Sequence, residues 1–114
     1  MKGLPTVVAQ HAGPEQAELE LLVEEGCPWF EGHFPDQPIL PGVVQIGWAA
    51  HFASELYGTD PSPTVLERVK FKRPILPGST LVLHLQRSAH KIRYDYRQDA
   101  ASLSSGVLCF GDAA

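Results

Sequence analysis

The chain has 114 residues, 44% of them hydrophobic, with a formal charge of −4 and a pI near 5.6. That size and composition predict one compact globular domain over residues 1–114 and leave no room for a second lobe, so a substrate pocket calls for a second copy of the chain. The acidic balance excludes general affinity for nucleic acid or anionic membranes, no apolar run reaches the ~18 residues of a membrane span, and Met1-Lys2-Gly3-Leu4-Pro5 lacks the apolar stretch of a secretory signal, which makes the cytoplasm the expected location.

Residues 6–10 are the first strand candidate. Residues 17–23 alternate in a way that predicts a half-exposed strand with Leu19 and Leu21 turned inward. Gly26, Pro28 and a loop stiffened by Pro35, Pro38 and Pro41 end it. Beyond that loop the pattern becomes helical, with Pro41 at the first helical position, no further proline to Tyr57, and a stop at Gly58-Thr59-Asp60-Pro61-Ser62-Pro63. Apolar residues from Val43 to Leu56 cover most of the helix circumference, which predicts burial on nearly all sides. Gly47, His51, Ser54 and Gly58 share one narrow stripe, with Glu55 at its edge.

After the helix the period drops to two. Residues 67–72 place Arg68, Lys70 and Lys72 on one face of a strand and Val69 and Phe71 on the other. Residues 81–85, 92–97 and 105–110 are further strands, with a turn at 98–101 between the last two. The economical architecture is an α+β fold in which an antiparallel sheet wraps one long buried helix. Pro-Ile-Leu-Pro-Gly occurs at 38–42 and again at 74–78, and reads as local turn chemistry.

Two linked motifs stand out over residues 29–85: Gly32-His33-Phe34-Pro35 with Pro38 and Pro41-Gly42 ahead of the helix, and Phe71-Lys72-Arg73-Pro74-Ile75-Leu76-Pro77-Gly78-Ser79-Thr80-Leu81 after it. Together they resemble the 3-hydroxyacyl-[acyl-carrier-protein] dehydratases of the hotdog fold. The resemblance implies a homodimer or higher homo-oligomer with its active site at the subunit boundary. It also implies an acyl thioester substrate, carried on the phosphopantetheine of an acyl carrier protein or on CoA, with no cofactor of the enzyme's own. The implied reaction removes water from a 3-hydroxyacyl thioester to give a trans-2-enoyl thioester, as in fatty acid or related acyl-chain biosynthesis.

The chemistry suits these residues. Elimination needs a base for the proton beside the carbonyl, and imidazole titrates near working pH, which points to His33. The developing enolate needs donors at the thioester oxygen, and a helix start offers unsatisfied N–H groups at its positive end. Gly42 supplies one and, without a side chain, lets the thioester approach. Phe34, Pro41, Val43 and Gly47 are the expected substrate-lining neighbours.

In the family, the residue fourteen after the histidine is Glu or Asp and protonates the departing hydroxyl from the partner subunit; here it is Gly47. Three readings follow. His51, one turn on, reaches into the space left at Gly47. Alternatively His33 returns its own proton, at a rate cost of ~10² to 10⁴. Lastly, the pocket binds or hydrolyses acyl thioesters without dehydrating them, as a thioesterase or a noncatalytic carrier-binding subunit. Glu31 and Glu55 read as solvated carboxylates.

Arg68, Lys70, Lys72 and Arg73 are expected to form a docking patch for an acidic acyl carrier protein, with a solvated strand face as the plain alternative. His11, His84 and His90 show no metal-ligand spacing, so no metal is expected. Cys27 and Cys109 are expected to be reduced, and Tyr94 and Tyr96 to cover one face of the sheet.

Overall fold

A computed structural model describes residues 3–30 and 38–110. Strands β1 (Thr6–Ala12) and β2 (Gln16–Leu22) precede a short 3-10 turn at Pro28–Phe30 and the helix α1 (Gly42–Tyr57). Strands β3 (Val65–Phe71), β4 (Thr80–Ser88), β5 (Lys91–Gln98) and β6 (Ala101–Cys109) follow. They form one six-stranded antiparallel sheet in the order β1-β2-β4-β5-β6-β3.

Alternation decides which face of the sheet meets the helix. Leu19 and Leu21 from β2, Leu81, Leu83 and Leu85 from β4, and Ile92, Tyr94 and Tyr96 from β5 are buried together with Trp48, Ala49, Phe52 and Ala53 of α1. Leu19 and Leu21 thus point inward as predicted, and Tyr94 and Tyr96 share a face. Small residues at 49, 50 and 53 let the helix backbone approach the sheet, and Trp48 fills the space beside them. The helix ends as predicted at Gly58, whose φ of 70° is left-handed and whose N–H donates to the Ser54 carbonyl at 2.9 Å.

Two features depart from the alternation. Pro41 is not the first helical residue but caps the helix, with an extended ψ of 144°. In β3, Glu67 pairs with Val107 but Lys70 with Ser105, so one extra residue is accommodated, and Arg68 takes a left-handed φ of 51° there. The bulge falls within the stretch where the faces were predicted to split: Val69 is half-buried, whereas Phe71, expected on the same face, is 55% exposed. Val43, counted among the apolar circumference of the helix, is also exposed, because the sheet covers the opposite side of α1.

The two core tyrosines differ in what their hydroxyls do. Tyr96 Oη donates to the Gln45 carbonyl at 2.6 Å, tying β5 to the first turn of α1. Tyr94 Oη is buried beside the Ser104 hydroxyl without a well-formed hydrogen bond, and burial, only partly offset by Ser104, pushes that phenol's pKa up to about 12. Tyr96→Phe is therefore expected to destabilise by about 0.5–1.5 kcal/mol, and Tyr94→Phe to be neutral or stabilising. Urea unfolding of both variants tests the contrast; a larger loss from Tyr94→Phe would contradict it.

Candidate active site

The helix start is held from three directions. Leu40 N–H donates to the Ile75 carbonyl at 2.8 Å, so the two Pro-Ile-Leu-Pro-Gly copies meet and are not merely similar turns. The Leu40 carbonyl accepts from Gln45 Nε2 at 3.0 Å. The Pro41 carbonyl accepts the N–H groups of Val44 and Gln45 at 3.1 and 3.2 Å. In a trans peptide the N–H points opposite to the carbonyl, so the Gly42 N–H is aimed out of the helix, along the positive end of its dipole. Among the described residues no acceptor meets the N–H of Gly42 or Val43 and no acidic side chain lies in the first turn.

A groove of about 430 Å³ opens beside this terminus, lined by Leu40, Gly42, Gln45 and Phe71, with Lys72 and Arg73 adding positive charge. Gly42 is in close contact with the Phe71 ring: a Cβ there would lie 2.5 Å from Phe71 Cζ, so the ring would have to move. The aromatic ring thus sits against the glycine. The arrangement offers an oxygen-stabilising N–H at the side of an apolar groove, which is what a thioester carbonyl needs as it becomes an enolate.

Of the expected site residues, His33 and Phe34 lie outside the described residues, as does Glu31. Gly42 and Pro41 are at the joint. Val43 and Gly47 follow on the less covered stripe of the helix, Gly47 half-buried. His51 is on the same stripe one turn on, but its Nε2 lies 3.0 Å from Glu55 Oε1, and its ring meets Phe52 edge-on at 5.3 Å. The imidazole therefore turns down the helix to Glu55, a carboxylate whose side chain is 60% exposed.

The expected docking residues divide. Lys72 and Arg73 flank the groove, held by their N–H bonds to the Leu103 carbonyl at 2.9 and 3.0 Å, and Lys72 Nζ reaches Ser102 Oγ at 3.1 Å. Arg68 instead lines a separate depression of about 340 Å³ with Glu67, Lys91 and Arg93. Lys70 is exposed on the strand between them. The bulge at Arg68 causes the division, since it turns that side chain out of the alternation.

Gln45, Phe71 and Tyr96 are the site neighbours that the sequence pattern did not single out. Gln45 had a visible signal, as the one amide inside the apolar run from 43 to 50. Phe71 was visible as the first residue of the second motif, but its place against Gly42 was not, because that depends on the bulge. Among the described residues no cluster of three or more His, Cys, Asp or Glu side chains is placed to hold a metal, both cysteines are free, and no helix is long and apolar enough to cross a membrane.

Comparison with known proteins bears on the same architecture. Among solved structures, the dehydratase heterocomplex ApeI:P from Xenorhabdus doucetiae includes a chain 34% identical, with a TM-score of 0.84 over 92% of this chain and 96% of that one. An uncharacterized protein from Erwinia carotovora subsp. atroseptica is also 34% identical, with a TM-score of 0.78 over 93% and 94%. The dehydratase domain of a mycocerosic acid synthase-like polyketide synthase, 16% identical with a TM-score of 0.71 over 100% of this chain and 42% of that one, shares the fold. The predicted α+β hotdog fold is thus the observed one.

The 3-hydroxyacyl-[acyl-carrier-protein] dehydratase FabZ of Oleidesulfovibrio alaskensis is 39% identical over 75 residues, 58% of this chain and 49% of that protein. FabZ of Clostridium perfringens is 29% identical over 92 residues, 75% of this chain and 66% of that protein. The chain therefore spans between about half and two thirds of the curated relatives it matches. The family model for ApeI dehydratase matches residues 9–107, nearly the whole sheet and all of α1, and the chain belongs to the ApeI-like dehydratase family.

Proposed function

We propose that this chain is the base-bearing half of a dehydratase that removes water from a 3-hydroxyacyl thioester to give the trans-2-enoyl thioester. The carrying observation is a fixed helix start whose Gly42 N–H has no acceptor among the described residues, with Gly42 lining a groove walled by Leu40 and Phe71. His33 takes the proton from the carbon next to the thioester carbonyl, and the Gly42 N–H holds the oxygen on which charge builds. As the carbon–carbon double bond forms, the carbon–oxygen bond at position 3 breaks, and the hydroxyl leaves as water with a proton from an acid. The substrate brings its own phosphopantetheine, on an acyl carrier protein or CoA, so the enzyme requires no cofactor.

Two identical chains would bring together two His33 loops and two copies of Gly47, and neither stripe would carry the acid. The Xenorhabdus doucetiae relative is part of a dehydratase heterocomplex, which supports a different arrangement: in our reading a second, non-identical subunit supplies the acid. His51, already engaged with Glu55, is poorly aimed for that task. Lys72 and Arg73, beside the groove, are the docking charges for an acidic carrier; such attraction raises the association rate and weakens with salt. A cytoplasmic setting suits a carrier-borne substrate.

The test is enoyl formation from a 3-hydroxyacyl-carrier substrate, measured beside free-thiol release. This chain alone is expected to turn over slowly without releasing thiol, and Gly47→Glu to raise its rate by ~10² or more by restoring an acid across a homodimer. Thiol release in place of enoyl formation would replace the reading with a hydrolase. Fast turnover by the unaltered chain alone, with no gain from Gly47→Glu, would remove the second subunit from the scheme.

A further inference from the structure

We infer that Gln45 is a positioning residue, acting through Leu40 to fix the direction of the Gly42 N–H; the inference rests on the dehydratase reading above. Gln45 is 4% exposed and, with Ser104, one of two buried polar side chains among the described residues. Its amide is only half satisfied: Nε2 donates to the Leu40 carbonyl at 3.0 Å, while Oε1 is buried with no partner among the described residues. A buried carbonyl oxygen left unpaired costs free energy that a leucine or methionine of similar volume would avoid. The amide is therefore a poor choice for packing, and what it contributes is the bond to Leu40.

That bond completes the constraint on two successive peptide planes. Leu40 N–H, in the Ile39–Leu40 plane, is fixed by Ile75, and the Leu40 carbonyl, in the Leu40–Pro41 plane, by Gln45, so the planes on both sides of the Leu40 Cα are held. The pyrrolidine ring sets φ of Pro41, here −59°, and the two N–H bonds to its carbonyl hold ψ at 144°. No soft torsion remains between Leu40 and the Gly42 N–H. Gln45 is in turn anchored from beneath, since its own carbonyl accepts from Tyr96 Oη at 2.6 Å. Without the Gln45 amide, the Leu40–Pro41 plane rocks about ψ of Leu40 and carries the Gly42 N–H with it. An N–H that must meet an oxygen as charge develops loses much of its effect when it rocks, and the loss falls on the transition state more than on substrate binding.

The experiment compares the full chain with Gln45→Met and Gln45→Leu in three measurements: urea unfolding, backbone amide hydrogen exchange at Leu40, and kcat and KM for enoyl formation. The expected result is an unfolding midpoint equal to or above that of the unaltered chain, with Leu40 exchange faster by ~10-fold. kcat is expected to fall ~10- to 100-fold, with KM within about threefold. Unchanged exchange and unchanged kcat would overturn the inference, as would a fall in kcat that tracks a fall in the unfolding midpoint, the mark of a merely structural residue. If the unaltered chain forms no enoyl product, the dehydratase reading fails by itself, and the exchange and unfolding measurements still decide whether Gln45 holds the turn.

Discussion

His33→Ala is expected to lower enoyl formation by ~10² to 10⁴, the usual worth of a positioned general base, while leaving KM for the thioester nearly unchanged. The reason is a division of labour. In the proposed reaction the acyl chain is held by the groove beside Gly42, with Leu40 and Phe71 as its walls, and not by the base. The proton on the carbon next to the carbonyl has no other acceptor near the helix start: among the described residues the first turn of α1 holds no acidic side chain. His51 is a full turn beyond Gly47 with its Nε2 on Glu55. His51→Ala is the companion measurement, expected to leave the rate within a few-fold when the acid comes from a second subunit. Full activity of His33→Ala would end the dehydratase assignment, and a collapse of activity in His51→Ala would return the acid to this chain.

Gly42→Ala is expected to cost ~10²-fold or more in kcat/KM with little change in stability. The added Cβ would come within 2.5 Å of Phe71 Cζ and within 2.9 and 3.1 Å of two other ring carbons, so the ring must move. Moving it is cheap for folding, because Phe71 is 55% exposed and its ring edge swings freely toward solvent. It is expensive for the site, because the ring then leaves the wall of the groove and a methyl group occupies the approach to the N–H. Alanine is also a good helix former at that position, so the helix itself does not suffer. Adding Phe71→Leu to Gly42→Ala separates the two effects. Recovery of activity in the double variant would assign the loss to the displaced ring, and continued loss would assign it to the methyl group at the N–H. Near-normal kcat/KM in Gly42→Ala alone would remove this N–H from the reaction.

Much of the fold was legible because its causes are local. The long helix is marked by Pro41 and Gly58, residues whose backbone preferences act within one turn, and β2, β4 and β5 by strict alternation over leucines and tyrosines that all face α1. Of the candidate site, Gly42 lies where a proline-capped helix start puts it. What could not be read depends on pairing between distant segments. The extra residue in β3 exists only relative to its register with β6, so nothing in residues 67–72 announces that Phe71 will turn to Gly42 or that Arg68 will part company with Lys72. Likewise, the repeated pentapeptide gives no hint that Leu40 and Ile75 bond to each other, since either copy makes sense as a turn by itself. Gln45 was visible as an amide in an apolar run, but its task depends on the turn folding back over it.

The two outermost strands bear on how the protein behaves when concentrated. β1 and β3 are the free edges of the sheet, and each is interrupted partway: β1 between Val7 and Ala9, β3 between Glu67 and Lys70. A long, straight, unprotected edge recruits further strands without limit, which is the route to fibrils and precipitates. Here the kinks leave only short straight stretches, and on β3 the interruption falls among Arg68 and Lys70, whose charges oppose stacking of like chains. Exposed valines at positions 7 and 8 and an exposed Leu66 would otherwise make both edges adhesive. The same irregularity that turned Phe71 to the groove thus also blunts open-ended growth, and the association it permits is finite.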